Sequence, residues 1–185
     1  ETPGDGSSLV VWINEFHYDN VGTDENEFIE VMGTAGIDLD GYSLALYSGG
    51  QTGNYGNIPM QGVLEDQSGN GFGTLAFDAV GLQNGSPDGF GLVSPDGECL
   101  EFISYLGDMT ASGGGACDGV FGEDIGVFEQ NVSADFSLQR TGSGREGEDF
   151  VWVGPRLSSR GEINEDQSIG EPGDSEEPSD VGSLF

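Results

Sequence analysis

Residues 15–30, with the sequence EFHYDNVGTDENEFIE, concentrate side chains that could bind a cation. Eight of the sixteen are Asp, Glu or Asn, and no Lys or Arg lies among them. Apolar residues precede and follow the stretch, which indicates that its ends belong to a folded sheet. Two carboxylates brought together there would raise each other's pKa or push their strands apart, and a divalent cation would remove that conflict.

The alternation of side chains along strands predicts that Glu15 and Glu30 meet across a hairpin, with the other acidic residues in or beside its loop. Calcium takes about six to eight oxygen ligands, which one loop and its neighbouring strands can supply. We therefore predict a bound Ca²⁺ with four ligands: Asp19, Asp24, Glu27 and Glu30. The stretch lacks a glycine at position six of the loop, where an EF-hand has one, and the alternative interpretation is a solvated acidic hairpin loop.

His17 is the only histidine of the chain, so any Ser-His-Asp triad would have to include it. No nucleophile motif surrounds it, and we predict a structural or surface histidine. Trp12 and Trp152 occupy strand positions that are typical of a core rather than of a sugar-binding cleft. The sequence thus predicts a protein that is not an enzyme.

The charge balance restricts the possible partners. The chain has 34 acidic residues, four arginines and no lysine, and its net charge is −30. Such a chain repels nucleic acid and anionic lipid, and it needs salt or divalent cations to screen its self-repulsion. The sequence contains no apolar run of about 20 residues, so we do not expect membrane insertion. We therefore expect a saline environment.

The four arginines lie close together in the sequence: Arg140, Arg145, Arg156 and Arg160. A cluster of this kind can bind phosphate or carboxylate ligands. In so acidic a chain we instead expect the arginines to pair with Asp and Glu, within the subunit or across a contact with a partner.

Strand signals are short and frequent, and no window keeps a helical apolar period over three turns. Clusters of Gly, Asp and Asn separate the strands, and SPDG at 94–97 predicts a hairpin connection. This pattern predicts an all-β fold, an antiparallel β-sandwich. The eight predicted strands are LVVWINEF, EFIEVM, YSLALY, TLAFDAV, GFGLVS, CLEFISYL, DFSLQRT and DFVWVG.

Three parts are expected along the chain: a leader at 1–8, the β-sandwich at 9–167, and an extended acidic tail at 168–185. From Glu162 onward the chain has eight acidic residues and no basic one, which is typical of a disordered segment or a linker. The tail ends in apolar residues that we predict to contact a partner: Val181, Leu184 and Phe185.

Cys99 and Cys117, with seventeen residues between them, could close one disulfide. A loop of that length would stabilise the fold by roughly 3 kcal/mol. The alternative is a pair of free buried thiols. The first residue is Glu rather than Met, which suggests a processed and secreted protein.

Motifs across residues 10–167 resemble, in their order and spacing, the lamin-tail-like domains of secreted bacterial proteins. The resemblance implies an immunoglobulin-like β-sandwich and a non-catalytic accessory or anchoring role, often beside a secreted nuclease. It rests on INEFHYDNVGTDENEFIEV, IDLDGYSLALY, QGVLEDQSGNGFGTLAF, LQNGSPDGFGLV, CLEFISYLG, EDIGVFE, FSLQRTGSG and EDFVWVGP.

Two functions fit these features. The first is a secreted structural subunit that self-associates into a filament or matrix stabilised by divalent cations, because a head-to-tail contact propagates. The second is an accessory module of a secreted enzyme such as a nuclease, with the acidic tail as a linker. A carbohydrate-binding role is supported only by analogy with other β-sandwiches.

Overall fold

Short strands make up almost all of the regular structure. The computed structural model describes residues 9–50 and 53–170. The predictions on the leader and on Val181, Leu184 and Phe185 lie outside these residues. The strands are β1 (Val11–His17), β2 (Phe28–Thr34), β3 (Ser43–Ser48), β4 (Gly53–Pro59), β5 (Phe72–Asp78), β6 (Asp88–Val93), β7 (Cys99–Tyr105), β8 (Met109–Thr110), β9 (Phe121–Gly122), β10 (Phe136–Gly144), β11 (Val151–Leu157) and β12 (Gln167–Ile169), and a 3-10 helix spans Gly147–Asp149.

Two sheets pack face to face, which confirms the predicted all-β sandwich. One sheet has the order β11-β10-β1-β2-β5 with antiparallel pairing, and β12 pairs in parallel with β10. The other has the order β4-β3-β6-β7, and β8 and β9 form a small ribbon. None of the helices in residues 9–50 and 53–170 has the length and apolar character needed to cross a membrane.

A β-bulge in β1 decides which of its side chains enter the core. The register with β2 shifts between Ile13 and Glu15. As a result Ile13 and Phe16, three residues apart, both belong to the cluster between the sheets. Asn14 and Glu15 are also fully buried, but outside that apolar cluster.

The second face of the larger sheet is covered by residues 158–170, which we call the C-terminal strap. Ile163 and Ile169 pack against an apolar cluster that includes Trp12, Met32 and Phe150. The expected tail boundary at residue 168 falls inside β12, and Asn164 is 97% buried, since its relative exposure is 3%. The acidic composition after Glu162 therefore does not mark the end of the fold, because a few apolar and amide side chains anchor this segment.

All eight predicted strands are present, and the SPDG connection joins β6 to β7 as predicted. Strand β4 was not predicted from the sequence, because its first residues, GNYG, are typical of a turn. This strand contains little apolar surface, and its backbone pairing with β3 holds it in the sheet. Its composition therefore resembles that of a turn.

The disulfide between Cys99 and Cys117 is present, with 5.0 Å between the two Cα atoms. Its sulfurs lie against Gly91 of β6, where a Cβ atom would approach the Cys117 Sγ far too closely. A glycine is therefore required beneath this bridge, which links β7 to the loop before β9.

Candidate functional site

Glu15 and Glu30 are directly paired across β1 and β2, as the alternation of side chains predicts. Both carboxylates are fully buried beneath the C-terminal strap. No arginine forms an ion pair with either of them within the described part of the chain. The arrangement therefore needs another source of stabilisation for its charge.

Hydrogen-bond donors supply that stabilisation for Glu15. Its Oε1 accepts from the hydroxyls of Ser137 and Ser158, both at 2.7 Å, and from the backbone N–H of Ser159 at 3.0 Å. Its Oε2 accepts from the Ser159 hydroxyl at 2.7 Å. These hydrogen bonds satisfy both oxygens of the Glu15 carboxyl group without a cation.

Glu30 has fewer donors. It accepts from the backbone N–H of Gly161 at 2.6 Å and from the Asn14 amide at 3.2 Å. Burial, followed by the negative charge of Glu15, raises the pKa of Glu30 well above its usual value, although these donors and Arg160 oppose the shift. The two carboxyl groups therefore differ in their surroundings, and burial beside Glu15 favours the protonated form of Glu30.

His17 lies at the end of β1 and is fully buried beside Glu129. Its Nδ1 is 2.7 Å from Glu129 Oε1, and its Nε2 is 3.1 Å from the carbonyl oxygen of Glu25. The other oxygen of Glu129 accepts from the backbone N–H groups of Tyr18 and Asp19, at 2.8 and 2.9 Å. The histidine thus anchors the loop after β1 to the segment that contains Glu129, which agrees with a structural role.

Both ring nitrogens of His17 face acceptors, so both donate when the ring is protonated. The amide oxygen of Asn20 is the second acceptor near Nε2, and the Glu25 N–H fixes the orientation of that oxygen. Burial alone would lower the pKa of His17, but the hydrogen bond and charge of Glu129 outweigh it, and the net pKa is raised.

The four predicted calcium ligands do not come together as one group. Asp19 and Asp24 lie close to each other: burial raises the pKa of Asp19, and the Asp24 carboxylate raises it further. Glu27 accepts from the backbone N–H of Gly81 at 2.6 Å, and its other oxygen is buried without a hydrogen-bond partner among the described residues. Glu30 instead faces Asn14 and the strap.

Within residues 9–50 and 53–170, no three His, Cys, Asp or Glu side chains are positioned to hold a metal ion. Alternation explains the separation of Glu27 from Glu30, because residues three apart on a strand point to opposite faces. The side-chain N–H of Asn84 donates to Asp24 at 3.4 Å.

Three of the four arginines form ion pairs inside the subunit. Arg140 donates to Glu101 at 2.6 Å and so joins the two sheets. Arg156 contacts Glu165 and Asp166 of the strap at 3.1 and 3.0 Å.

Arg160 of the strap pairs with Asp78 of β5 and lies over the Phe28 ring. Arg145 has no carboxylate within salt-bridge distance in the described part of the chain, and its guanidinium lies over Phe72. The partner contacts predicted for the arginines stay predictions.

An open groove of about 440 Å³ lies where β1 begins, and we call it the β1–β7 groove. The side chains that line it include Leu9, Val11, Tyr42 and Leu100, with Glu146 and Glu148 at the 3-10 helix. Leu9 is 72% exposed and Leu100 is 46% exposed, so apolar surface faces solvent here. This groove was not predicted from the sequence, since its lining comes from four separate segments.

The hydrogen-bond partners of the buried His17 and Glu15 were also not predicted from the sequence. Glu129 reads as one more acid in an acidic chain, and SSRG at 158–161 reads as a polar loop. The only signal was the grouping of Ser, Gly and Arg in the LSSRG segment, which offers donors rather than acceptors.

Comparison with protein-family models, with curated proteins and with solved structures gives no match. The resemblance to lamin-tail-like domains therefore stays a prediction.

Proposed function

We propose that this chain is a secreted, non-catalytic structural or interaction domain that self-associates in a saline environment. The observation that carries the proposal is that its chemically active side chains are used inside the domain. His17 and Glu129 anchor a loop, and Glu15 holds the strap. Groups held in this way serve the architecture of the fold.

The exposed surface supports an interaction role. It combines a strongly acidic charge with exposed apolar side chains at the β1–β7 groove, such as Leu9 and Leu100. Exposed apolar residues that line a groove are typical of contacts with another protein. Salt at high concentration would screen the repulsion between two such surfaces and allow the contact.

Sedimentation velocity and electron microscopy of the full chain test this proposal. In saline buffer we expect oligomers or filaments, and we expect a chain that lacks residues 171–185 to remain monomeric. A truncated chain that forms the same oligomers would show that the tail has no part in assembly. Monomers of the full chain at every salt concentration would contradict self-association and favour the accessory-module alternative.

We also propose that the loop after β1 binds Ca²⁺ through the neighbouring carboxylates of Asp19 and Asp24, and that the cation draws in Glu27, which the structure does not group with them among the described residues. What supports this is the proximity of Asp19 to Asp24 and the buried, unpartnered oxygen of Glu27. Glu30 is not retained as a ligand here because its carboxylate faces the strap.

Calorimetric titration of chelator-treated protein with CaCl₂ measures this binding. We expect heat of binding for the wild-type chain, none for the Asp24→Asn variant, and wild-type heat for Asp96→Asn, whose side chain lies in the exposed β6–β7 turn. Absence of heat with the wild-type chain would contradict the calcium proposal.

A further inference from the structure

The point where the strap ends lies close to the β1–β7 groove. Ile169 pairs with Gly144, and the Gly170 N–H donates to the Gly144 carbonyl at 3.2 Å. Gly147, three residues further along, lines the groove. Three residues span at most about 11 Å, so Gly170, the last described residue, lies near the groove.

The residues that follow Gly170 combine two compositions. Residues 171–180, EPGDSEEPSD, contain five carboxylates and two prolines. Residues 181–185, VGSLF, contain no ionisable side chain and three apolar ones. The second group has the character of the groove, whose walls include Leu9, Val11 and Leu100.

We propose that residues 181–185 of one copy occupy the β1–β7 groove of a second copy. This inference rests on the proposed function, and it assigns the two surfaces that make the contact. Apolar side chains such as Leu184 and Phe185 would cover Leu9 and Leu100, which are otherwise exposed.

The length of the connection allows residues 181–185 to reach the groove of a second copy. The ten residues 171–180 can span up to about 33 Å, whereas the chain's own groove lies at most about 11 Å from the end of the strap. The proposed self-association requires that the contact be made between copies rather than within one.

Charge also shapes this contact. Glu101 at the groove is paired with Arg140, whereas Glu146 and Glu148 have no arginine within salt-bridge distance in residues 9–50 and 53–170. The acidic residues of the arriving segment repel these two carboxylates. Association should therefore strengthen as salt concentration rises, in contrast to an interface built on ion pairs.

Sedimentation velocity of full-length variants in about 1 M NaCl, where the Debye length falls to about 3 Å, tests the proposal. Leu100→Glu and, separately, Leu9→Glu should abolish self-association by placing a charge in the groove. Val80→Glu makes the same change at a side chain that is 86% exposed and does not line the groove, and it should associate like the wild type. Circular dichroism and melting temperature show whether each variant is folded.

A mixing experiment identifies the two halves of the contact. Leu184→Glu damages the proposed occupant and leaves the groove intact, whereas Leu100→Glu does the reverse. Each variant alone should be monomeric. Their equimolar mixture should form dimers that grow no further, because only one occupant and one groove remain functional.

The outcomes separate this inference from the proposed function. Wild-type association that persists in folded Leu100→Glu and Leu9→Glu would overturn the groove as the receptor and leave self-association standing. A wild-type chain that stays monomeric would overturn both. A mixture of the two variants that stays monomeric would contradict the pairing of occupant and groove.

Discussion

At the residue scale, the fold stabilises buried charges with specifically placed partners. His17 lies between the carboxylate of Glu129 and the carbonyl of Glu25, and these two acceptors favour the protonated ring. The folded pKa of His17 is raised above 6.5, and the folded protein therefore binds a proton that the unfolded chain releases above that value. The stability gained from His17 is present below pH 6.5 and is lost as pH rises through the folded pKa.

Glu129→Gln should remove this pH dependence. The neutral amide can still accept from Tyr18 and Asp19, but it cannot stabilise an imidazolium. At pH 6 we expect the free energy of unfolding to fall by about 1.5–3 kcal/mol, the value of a hydrogen bond to a charged group. Urea unfolding at pH 6 and pH 9 measures the effect.

Glu98→Gln is a matched control for that variant, because Glu98 is exposed and its side chain makes no hydrogen bond in the described part of the chain. It should follow the wild-type profile at both pH values. Parallel pH profiles for Glu129→Gln and the wild type would contradict the assigned role of His17.

Glu30 provides a second prediction at this scale. Its raised pKa means that the folded protein keeps a carboxylic acid above pH 4.5, where the unfolded chain would lose the proton. The contribution of Glu30 to stability is therefore greatest below pH 4.5 and falls as pH rises toward the folded pKa.

At a pH above 4.5, infrared spectroscopy should detect a protonated carboxyl C=O band that is missing from the Glu30→Gln variant. A difference spectrum between the two proteins without such a band would show that Glu30 is ionised.

At the element scale, the C-terminal strap behaves as a third layer on the sandwich. Serine hydroxyls and backbone N–H groups from Ser158 to Gly161 hold the carboxylates of β1 and β2, and Arg156 ties the far end of the strap to β11. The strap is acidic in composition, but the hydrogen-bond donors within it attach it to the buried carboxyl groups of the sheet. The strap should thus unfold with the sandwich rather than before it.

Ser159→Ala tests this coupling. It removes the donor to Glu15 Oε2, and a buried acceptor left without a partner costs about 1–3 kcal/mol. In this variant, hydrogen exchange of the amides in residues 158–169 should become faster by a larger factor than exchange of the amides in β1 and β2. Ser68→Ala changes an exposed serine without a side-chain hydrogen bond in the described residues. It should leave the free energy of unfolding and the hydrogen exchange unchanged. Unchanged exchange of the strap in Ser159→Ala would show that this hydroxyl does not hold it.

At the scale of the whole molecule, the net charge of −30 opposes compaction. Sodium chloride should raise the melting temperature by screening this repulsion, with the largest gain while the Debye length falls from about 30 Å at 0.01 M to about 10 Å at 0.1 M.

Calcium chloride at the same ionic strength should raise the melting temperature further if the loop site is occupied, and this additional gain should disappear in Asp24→Asn. Equal melting temperatures in the two salts would mean that screening alone accounts for the effect.

The sequence by itself determined the fold class and most of the strands. Alternating apolar residues and Gly, Asp and Asn turns are local signals, which can be recognised without knowledge of the tertiary contacts. They were sufficient to pair Glu15 with Glu30 and to place the β6–β7 hairpin. The count of two cysteines allowed either a disulfide or two free thiols, and the structure contains the disulfide.

Only the tertiary structure decided how the charges are stabilised. Glu129 lies 112 residues from His17, and Ser159 lies 144 residues from Glu15, so no spacing within a motif reveals either contact. The strap and the groove could not be predicted from local spacing either. The strap donates hydrogen bonds to residues near the other end of the chain, and the walls of the groove come from several segments. Burial and hydrogen bonding of this kind depend on which surfaces meet, and that is set by packing rather than by local sequence.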